Sequence, residues 1–343
     1  MSSTAAHPRA AAPAPGTPPP DADRAGRAGR LETVAARVQQ QGALAVLVLV
    51  CAAASIGSST FPSWSNISSI LANNSFVWLL ALGMTFVITT GGIDLSVGSL
   101  YALGGVLAAR GAQTGTWLAV LLPIVVCAAW GTLQGLLVAK ARMAPFIVTL
   151  AGLLGARGLL QALTDQGSTT YLVPAHSAFL RLAAGVWTPV LIVAALFALG
   201  WLLLTRTRFG ATVTAIGGNE NAAGLMGLPV ARTKVQVYLL SGTLAGIAGA
   251  MGGSRLGSGV TTIGVGYELT AIAAVVIGGT LLTGGSGSVG GTVCGVLLLA
   301  VINNLIDQYA SQYGSAFTDT VNGAFLAVVV LLQTLLSRAG RPA

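Results

Sequence analysis

Residues 81–109, ALGMTFVITTGGIDLSVGSLYALGGVLAA, decide the fold of this chain. Two apolar runs, 79–90 and 97–109, flank a short insert at 91–96 that carries one carboxylate, one hydroxyl and two glycines. An ionised and unpaired Asp94 at membrane depth would cost a few kcal/mol, so this side chain must lie at a helix end, line water or find a partner. The stretch therefore predicts a helix break between two membrane-embedded segments.

Each polar or small residue of the break has a predicted structural role. Gly91 and Gly92 allow the first helix to stop and turn, because glycine adopts backbone conformations that other residues avoid. Asp94 or Ser96 can accept hydrogen bonds from the free N–H groups at the start of the next helix. Gly98 allows two helix backbones to approach closely.

Composition places the chain among all-α polytopic membrane proteins. Charged residues make up 8% of the chain, whereas a soluble domain has about 25%, and 54% of the residues are hydrophobic. The net charge of +8 does not indicate a nucleic-acid partner, because the Lys and Arg residues neither cluster on one predicted face nor alternate with exposed aromatic residues. The three cysteines lie in separate apolar runs and are interpreted as packing residues, and no metal site is predicted.

Ten apolar segments follow one another along the chain. Several are shorter than the ~20 residues that a full crossing of the bilayer needs. We therefore expect eight to ten transmembrane helices, with one or more broken or re-entrant segments. The segments are 42–57, 75–92, 97–111, 116–139, 145–163, 187–204, 235–254, 269–283, 289–306 and 321–336.

Both ends of the chain are predicted to be cytoplasmic tails. Residues 1–41, mostly Ala, Pro, Gly and Arg, cannot bury enough apolar surface to order themselves, and 337–343 form a short C-terminal tail after the membrane domain, 42–336. Residues 52–55 resemble a signal-peptide cleavage site, but the leader before them is far too long, so an uncleaved first helix is preferred.

The distribution of cations predicts that both termini lie inside. If all ten segments cross, only four of the 17 Lys and Arg residues fall outside, namely Arg110, Arg157, Arg181 and Arg255. The other 13 fall on the cytoplasmic side, as the positive-inside rule requires.

Two polar intervals remain between the apolar segments. The outer one, 164–186, contains His176, which is interpreted as a solvated residue, and offers a surface for a partner. The inner one, 205–234, is the longest cytoplasmic connection. Its middle, 218–227, predicts a short surface helix to which a cytoplasmic partner docks; the alternative is a connector helix lying on the lipid headgroups.

The predicted surface helix has recognisable start and stop signals. Its residues fall into four groups: Asn219 as the N-cap, Glu220 and Asn221 near the positive helix N-terminus, Ala222, Ala223, Leu225 and Met226 as a small apolar face, and Gly227 as the stop.

Three stretches resemble the permease subunits of bacterial ABC importers for sugars of the ribose, xylose and galactofuranose type. They are GMTFVITTGGIDLSVGS at 83–99, RFGATVTAIGGNENAAGLMGL at 208–228 and YELTAIAAVVIGGTLLTGGSGSVGGTVCGVLLLAVINN at 267–304. The likeness covers about residues 45–336. Its finer details look most like the galactofuranose permease: Thr149-Leu150-Ala151-Gly152, Arg157-Gly158, Leu225-Met226-Gly227 and Gly278-Gly279-Thr280-Leu281-Leu282.

The resemblance implies a multi-pass subunit of the bacterial inner membrane with three protein partners. These are a second permease copy or paralogue, an extracytoplasmic sugar-binding protein, and a separate cytoplasmic ATPase. In such permeases the segment that matches 217–228 is the coupling segment, which sits in a groove of the ATPase. The resemblance thus assigns the surface helix a docking role.

The chain itself has no signature of an ATPase. A P-loop needs a Lys that reaches the phosphates, and the glycine clusters 278–279 and 284–291 have none near them. ATP is therefore expected to be used by the partner, this chain is expected to be a non-catalytic subunit, and no cofactor is expected on it. The glycines are interpreted as close helix packing or a re-entrant bend.

One glycine pattern occurs twice. Thr90-Gly91-Gly92 followed by Ser96-Val97-Gly98 is echoed by Thr283-Gly284-Gly285 followed by Ser288-Val289-Gly290. The echo is either a weak internal repeat, of the kind that transporters are built from, or a coincidence in a chain with 46 glycines.

A sugar in transit needs side chains that hydrogen-bond its hydroxyl groups without trapping it. Each candidate could equally satisfy a neighbouring helix, and Asp94 is interpreted as a capping and packing acid rather than a sugar contact. The candidates for the translocation path are Asn73, Asn74, Thr85, Thr89, Ser99, Asn303 and Asn304.

Two other classes of function need features of their own. A proton-coupled secondary transporter needs an ionisable relay, for which only Asp94, Glu268 and Asp307 are suitably placed. An integral membrane enzyme needs paired carboxylates, a metal-spaced His/Cys set or an activated nucleophile, and the sequence offers none of these.

Overall fold

The computed structural model describes residues 43–314, 317–318, 320–324, 327 and 331. Within these residues the chain is α-helical, and its only β-type pairing is an isolated bridge between Leu172 and Ser258. The all-α prediction is confirmed. Both predicted tails and most of the run 321–336 lie outside the described residues.

The helices follow the predicted apolar runs closely. In chain order they are α1 (Ala43–Gly57), α2 (Trp64–Asn73), α3 (Ser75–Thr89), α4 (Val97–Ala112), α5 (Thr116–Ala139), α6 (Pro145–Leu163), α7 (Trp187–Arg206), α8 (Arg208–Gly218), α9 (Glu220–Leu225), α10 (Val230–Leu256), α11 (Tyr267–Ile277) and α12 (Val289–Tyr309), with short 3₁₀ helices at Ala178–Leu182 and Ser311–Tyr313.

Five of the described helices are long and apolar enough to cross a membrane: α5, α6, α7, α10 and α12. The pair α2–α3, bent by 48°, adds a sixth if it is one span, which confirms the expected broken segment. The shorter apolar helices α1 and α11, the buried α4 and the run 321–336 would complete eight to ten crossings, a number that stays a prediction, as does the orientation of the termini.

The core of the bundle is built on α10, which packs against α5, α4 and α3. Glycines set the distance between these helices. A Cβ atom on Gly249 of α10 would lie 2.7 Å from the Cα of Gly104 in α4, and one on Gly246 would lie 2.6 Å from the carbonyl oxygen of Pro123 in α5. Without a hydrophobic drive between membrane helices, such close backbone contact supplies the dispersion energy that holds them.

The two ends of the bundle differ in charge. At one end lie the connections α5–α6, α7–α8 and α9–α10, and we call this the basic end because of its cations: Lys140, Arg142, Arg206, Arg208, Arg232 and Lys234. At the opposite end the connection 164–186 pairs with the chain after α10. The Val173 N–H donates to the Gly257 carbonyl at 2.8 Å, and the Gly259 N–H donates to the Tyr171 carbonyl at 2.8 Å.

Candidate functional site

The helix break is formed as the sequence predicts. Helix α3 ends at Thr89, and Gly91 turns the chain with a φ of 78°. The Gly92 N–H donates to the Val87 carbonyl at 3.0 Å, which satisfies a free carbonyl at the end of α3. Residues 92–94 have no regular structure, and a turn at 95–96 leads into α4.

Asp94 is fully buried and accepts three hydrogen bonds. Its Oδ1 accepts from the Ser96 N–H at 3.0 Å and from the Ser96 hydroxyl at 2.6 Å, while its Oδ2 accepts from the Ser241 hydroxyl at 2.8 Å. The carboxylate therefore ties Ser96, the residue just before α4, to α10, without bonding the N–H groups of the first turn of α4. The Ser96 side chain makes no cap bond of its own.

Gly98 lies where a side chain would collide with the loop before α11. A Cβ atom there would overlap the Gly264 carbonyl oxygen and the Glu268 carboxylate. This close approach agrees with the packing role that the sequence predicts for Gly98.

A polar cleft of about 350 Å³ opens at the end of the bundle opposite the basic end. It lies between the α2–α3 bend, the start of α11 and the end of α12. Four of the seven predicted path residues line it: Asn73, Asn74, Asn303 and Asn304. The other hydrogen-bonding residues of the lining include Ser69, Thr270, Asp307, Thr318 and Asn322.

The amide groups of the polar cleft are in two different states. The Oδ1 atoms of Asn303 and Asn322 are buried without a hydrogen-bond partner among the described residues. By contrast, Asn304 and Asn66 exchange two amide hydrogen bonds, at 2.8 and 3.1 Å. A buried polar atom without a partner is costly, so a hydrogen-bonding ligand that reached Asn303 or Asn322 would relieve this cost.

Stacked aromatic rings stand beside the polar cleft. The rings of Phe76 and Tyr267, both in the lining, stack at 5.6 Å with an interplanar angle of 9°, and Tyr101 lies 5.1 Å from Phe76. Sequence reasoning did not assign these three residues, although Phe76 follows the Asn73-Asn74 pair almost directly. Aromatic faces beside amides offer the mixed apolar and hydrogen-bonding surface that suits a polyhydroxylated ring.

Thr85, Thr89 and Ser99 do not line the polar cleft. The Thr85 and Thr292 hydroxyls are hydrogen-bonded at 2.8 Å, and the Thr89 hydroxyl donates to the Thr85 carbonyl at 2.6 Å. All three residues are buried between helices. The geometry thus favours the alternative of helix-to-helix contacts, and a path role for these residues stays a prediction.

The predicted surface helix is present at the basic end as α9. The Asn219 Oδ1 accepts from the Ala222 N–H at 2.9 Å, which confirms the predicted cap, and Gly227, with a φ of 78°, follows the end of the helix. Glu220 pairs with Lys234 of α10 at 2.6 Å. The connection is more helical than expected, because α8 fills 208–218 and α10 starts at Val230 rather than near 235.

The four residues predicted to form the apolar face of α9 differ in burial. Ala223 is fully buried against the body of the protein, whereas Leu225 and Met226 are 91% and 70% exposed. At about 100° per residue, Ala223, Leu225 and their neighbours Ala222 and Met226 fall within an arc of about 160°, with Ala223 and Leu225 at its opposite edges, so one edge packs on the protein while the other stays exposed. A groove of about 850 Å³ lies next to α9, lined by Arg142, Glu220, Asn221, Leu225 and Lys234 among others.

Residues 66–334 match the family model described as the permease component of the branched-chain amino acid transport system. The chain belongs to this permease family. It is a multi-pass protein of the bacterial inner membrane.

Several relatives of this permease are named as sugar import permeases. It is 41% identical to the ribose import permease protein RbsC of Escherichia coli K12 over 90% of its own length and 96% of the relative's. It is 40% identical to RbsC of Bacillus subtilis 168, over 86% and 93% of the two chains. It is 36% identical to the fructose import permease protein FruG of Bifidobacterium longum, over 87% and 92%. The finer likeness to the galactofuranose permease stays a prediction. No solved structure matches this permease.

Proposed function

We propose that this permease is the membrane subunit of an ATP-driven, binding-protein-dependent importer of a neutral pentose or hexose. The polar cleft would be the mouth of its translocation path. The observation that carries the proposal is the lining of this cleft: asparagine amides, two of them with an Oδ1 that has no partner, lie beside aromatic rings, and Asp307 is the only charged side chain among the described lining residues.

This lining supports a sugar over a branched-chain amino acid, the substrate in the family's description. An amino acid carries a carboxylate, which needs a cation or several N–H donors, and an aliphatic side chain, which needs an apolar pocket. The described lining of the cleft has no Lys or Arg. The ribose and fructose names of the relatives support the same choice, with galactofuranose kept among the candidate sugars.

The energy source in this proposal is a cytoplasmic ATPase that docks on α9. The exposed Leu225 and Met226 offer an apolar contact, and the adjacent groove offers room for the partner. A second permease copy or paralogue and an extracytoplasmic sugar-binding protein would complete the assembly, and ATP would be bound by the ATPase.

A proton-coupled transporter is the second candidate. It would use Asp94 as part of a proton relay, but both carboxylate oxygens of Asp94 already accept hydrogen bonds from Ser96 and Ser241. An acid held in this way suits a structural role, which favours the ATP-driven scheme.

Uptake of labelled solutes tests the proposed class of substrate. The permease, its ATPase and its binding protein would be reconstituted in proteoliposomes and supplied with ATP and labelled ribose, fructose or leucine. We expect uptake of a sugar and none of leucine. Uptake of leucine with no uptake of any sugar would contradict the proposal.

A further inference from the structure

Three backbone segments meet at the basic end of the bundle. They are the two TGG turns, residues 90–92 and 283–285, and the end of α8 at 217–218. The Gly285 N–H donates to the Thr89 carbonyl at 3.0 Å, and this bond links the two turns. A Cβ atom on Gly217 would overlap both atoms of this hydrogen bond.

Two further glycines of this meeting point, Gly284 and Gly285, are also constrained. A Cβ atom on Gly284 would lie 2.7 Å from the Gly91 nitrogen, and one on Gly285 would lie 2.9 Å from the Gly218 Cα. We call residues 89–92, 217–218 and 283–285 the glycine junction. Because no side chain separates the three segments, none can move toward another without displacing it.

The glycine junction lies between the two functional surfaces. Asn219, the cap of α9, follows Gly218 directly, so the docking helix is continuous with the junction. In the other direction, α3 and α11 run from the TGG turns to the polar cleft, where Phe76 and Tyr267 form part of the lining. At 1.5 Å per residue, the 15 residues of α3 span about 22 Å.

The walls of the cleft are also joined to one another. The hydrogen bond between the Thr85 and Thr292 hydroxyls links α3 to α12, one turn before the end of α3. Helix α12 carries Asn303 and Asn304 to the cleft. A displacement at the junction therefore reaches more than one wall of the cleft.

We propose that Gly217 is the positioning residue through which movement of α9 displaces both TGG turns together and so changes the width of the polar cleft. The proposal rests on the proposed function, since it needs an ATPase to move α9. It also gives the TGG echo a physical meaning, because the two similar turns meet at the same end of α8.

Neighbouring glycines provide a matched test. In Gly217→Ala the new methyl group would push the Thr89 carbonyl and Gly285 apart, whereas in Gly218→Ala it would point into open space. Both variants add the same methyl group to the end of the same helix. We expect Gly217→Ala to lower both sugar uptake and the stimulation of ATP hydrolysis by loaded binding protein about tenfold, and Gly218→Ala to match the wild type.

A distance measurement separates coupling from folding. Spin labels at Ser69→Cys and Val265→Cys, in a background without the three native cysteines, would report the width of the polar cleft in the assembled complex. We expect ATP to change the distance between the labels in the wild type and in Gly218→Ala. In Gly217→Ala the distance should not respond to ATP, although basal hydrolysis persists.

A second pair of variants tests the contact between α8 and the TGG turns with substitutions in the turns. Gly285→Ala and Gly91→Ala both place alanine at a positive φ, of 80° and 78°, so they share the same backbone strain. Only the methyl group on Gly285 meets α8; the one on Gly91 lies 3.5 Å from its nearest neighbour, the Thr283 carbonyl oxygen. We expect Gly285→Ala to lose the stimulation of ATP hydrolysis by loaded binding protein. Gly91→Ala should retain more of this stimulation.

The possible results are decisive for the glycine junction. If Gly217→Ala or Gly285→Ala responds to ATP like the wild type, the proposal is wrong. If neither variant assembles with the ATPase, the junction is an assembly element and the proposal is also wrong. A wild-type complex that takes up no sugar with ATP would instead overturn the proposed function.

Discussion

Two buried polar side chains of this permease, Asp94 and Asn303, differ in how completely they are hydrogen-bonded. Asp94 is predicted to cap and pack; its three hydrogen bonds to Ser96 and Ser241 favour the packing role, while the N–H that it bonds belongs to the residue before α4. Asn303 is the opposite case, because its buried Oδ1 has no partner among the described residues. The first residue stabilises the fold, while the second costs stability and is available to a substrate.

Replacing Asp94 with asparagine tests the structural role. Asparagine has only one acceptor oxygen, so the Ser241 hydroxyl must accept from the new NH2 group instead of donating to a carboxylate, and the weaker neutral bonds cost about 1–3 kcal/mol. We expect Asp94→Asn to lower the yield of assembled complex and its thermal stability, measured by size exclusion and thermal unfolding. Asp307→Asn, at an exposed position in the cleft, is the control for loss of charge. An assembled Asp94→Asn complex that kept stimulated ATP hydrolysis and lost only sugar selectivity would refute this role.

Replacing Asn303 with leucine tests the cleft. The substitution removes an unpaired buried amide, so we expect the unfolding temperature to stay the same or rise while sugar uptake falls about tenfold. Asn66→Leu is the matched control, because it breaks the paired bonds to Asn304 and should lower the unfolding temperature. Normal uptake by Asn303→Leu would remove this residue from the path.

The sequence predicted the asparagines of the cleft but not which hydroxyl groups reach it. A threonine or serine in a helix can bond the carbonyl one turn before it, as Thr85 bonds Ala81 and Thr89 bonds Thr85. When every face of a helix is apolar, periodicity cannot show which face meets a cleft. The contribution of Phe76 and Tyr267 was missed for the same reason.

At the scale of elements, start and stop signals were the most reliable predictions. The Asn219 cap and the Gly227 stop fixed α9 from sequence, but the direction of its side chains depends on contacts with α8 and α10 that the sequence does not show. Helix α8 was hidden within a connection classed as polar, because its residues alternate between buried and exposed.

Exposed residues of α9 provide the test of docking. We expect Leu225→Glu combined with Met226→Glu to weaken ATPase binding more than tenfold, because both apolar contacts are lost, while membrane insertion stays normal. The measurement is co-purification with the ATPase and its titration. Leu172→Glu, 65% exposed at the opposite end, is the control and should bind the ATPase normally. ATPase binding by the double variant at the wild-type level would exclude α9 as the docking site.

At the scale of the whole molecule, composition alone predicted the fold class, whereas the arrangement of the helices had to come from the structure. Helix α4 has only 16 residues and is almost entirely buried, so protein rather than lipid surrounds it and the usual length rule does not identify it as a span. The helices are apolar on most faces, and glycine contacts such as Gly104 with Gly249 determine which of them meet.

The central claim is that an ATP-hydrolysing partner, bound at the basic end, drives transport by this permease. The most direct measurement is the accumulation of labelled ribose or another transported sugar, against its gradient, in proteoliposomes that contain either the full complex or this chain alone. Our account predicts accumulation only with the complex and ATP, unaffected by a protonophore. Uphill accumulation by the chain alone, without nucleotide and abolished by the protonophore, would contradict it.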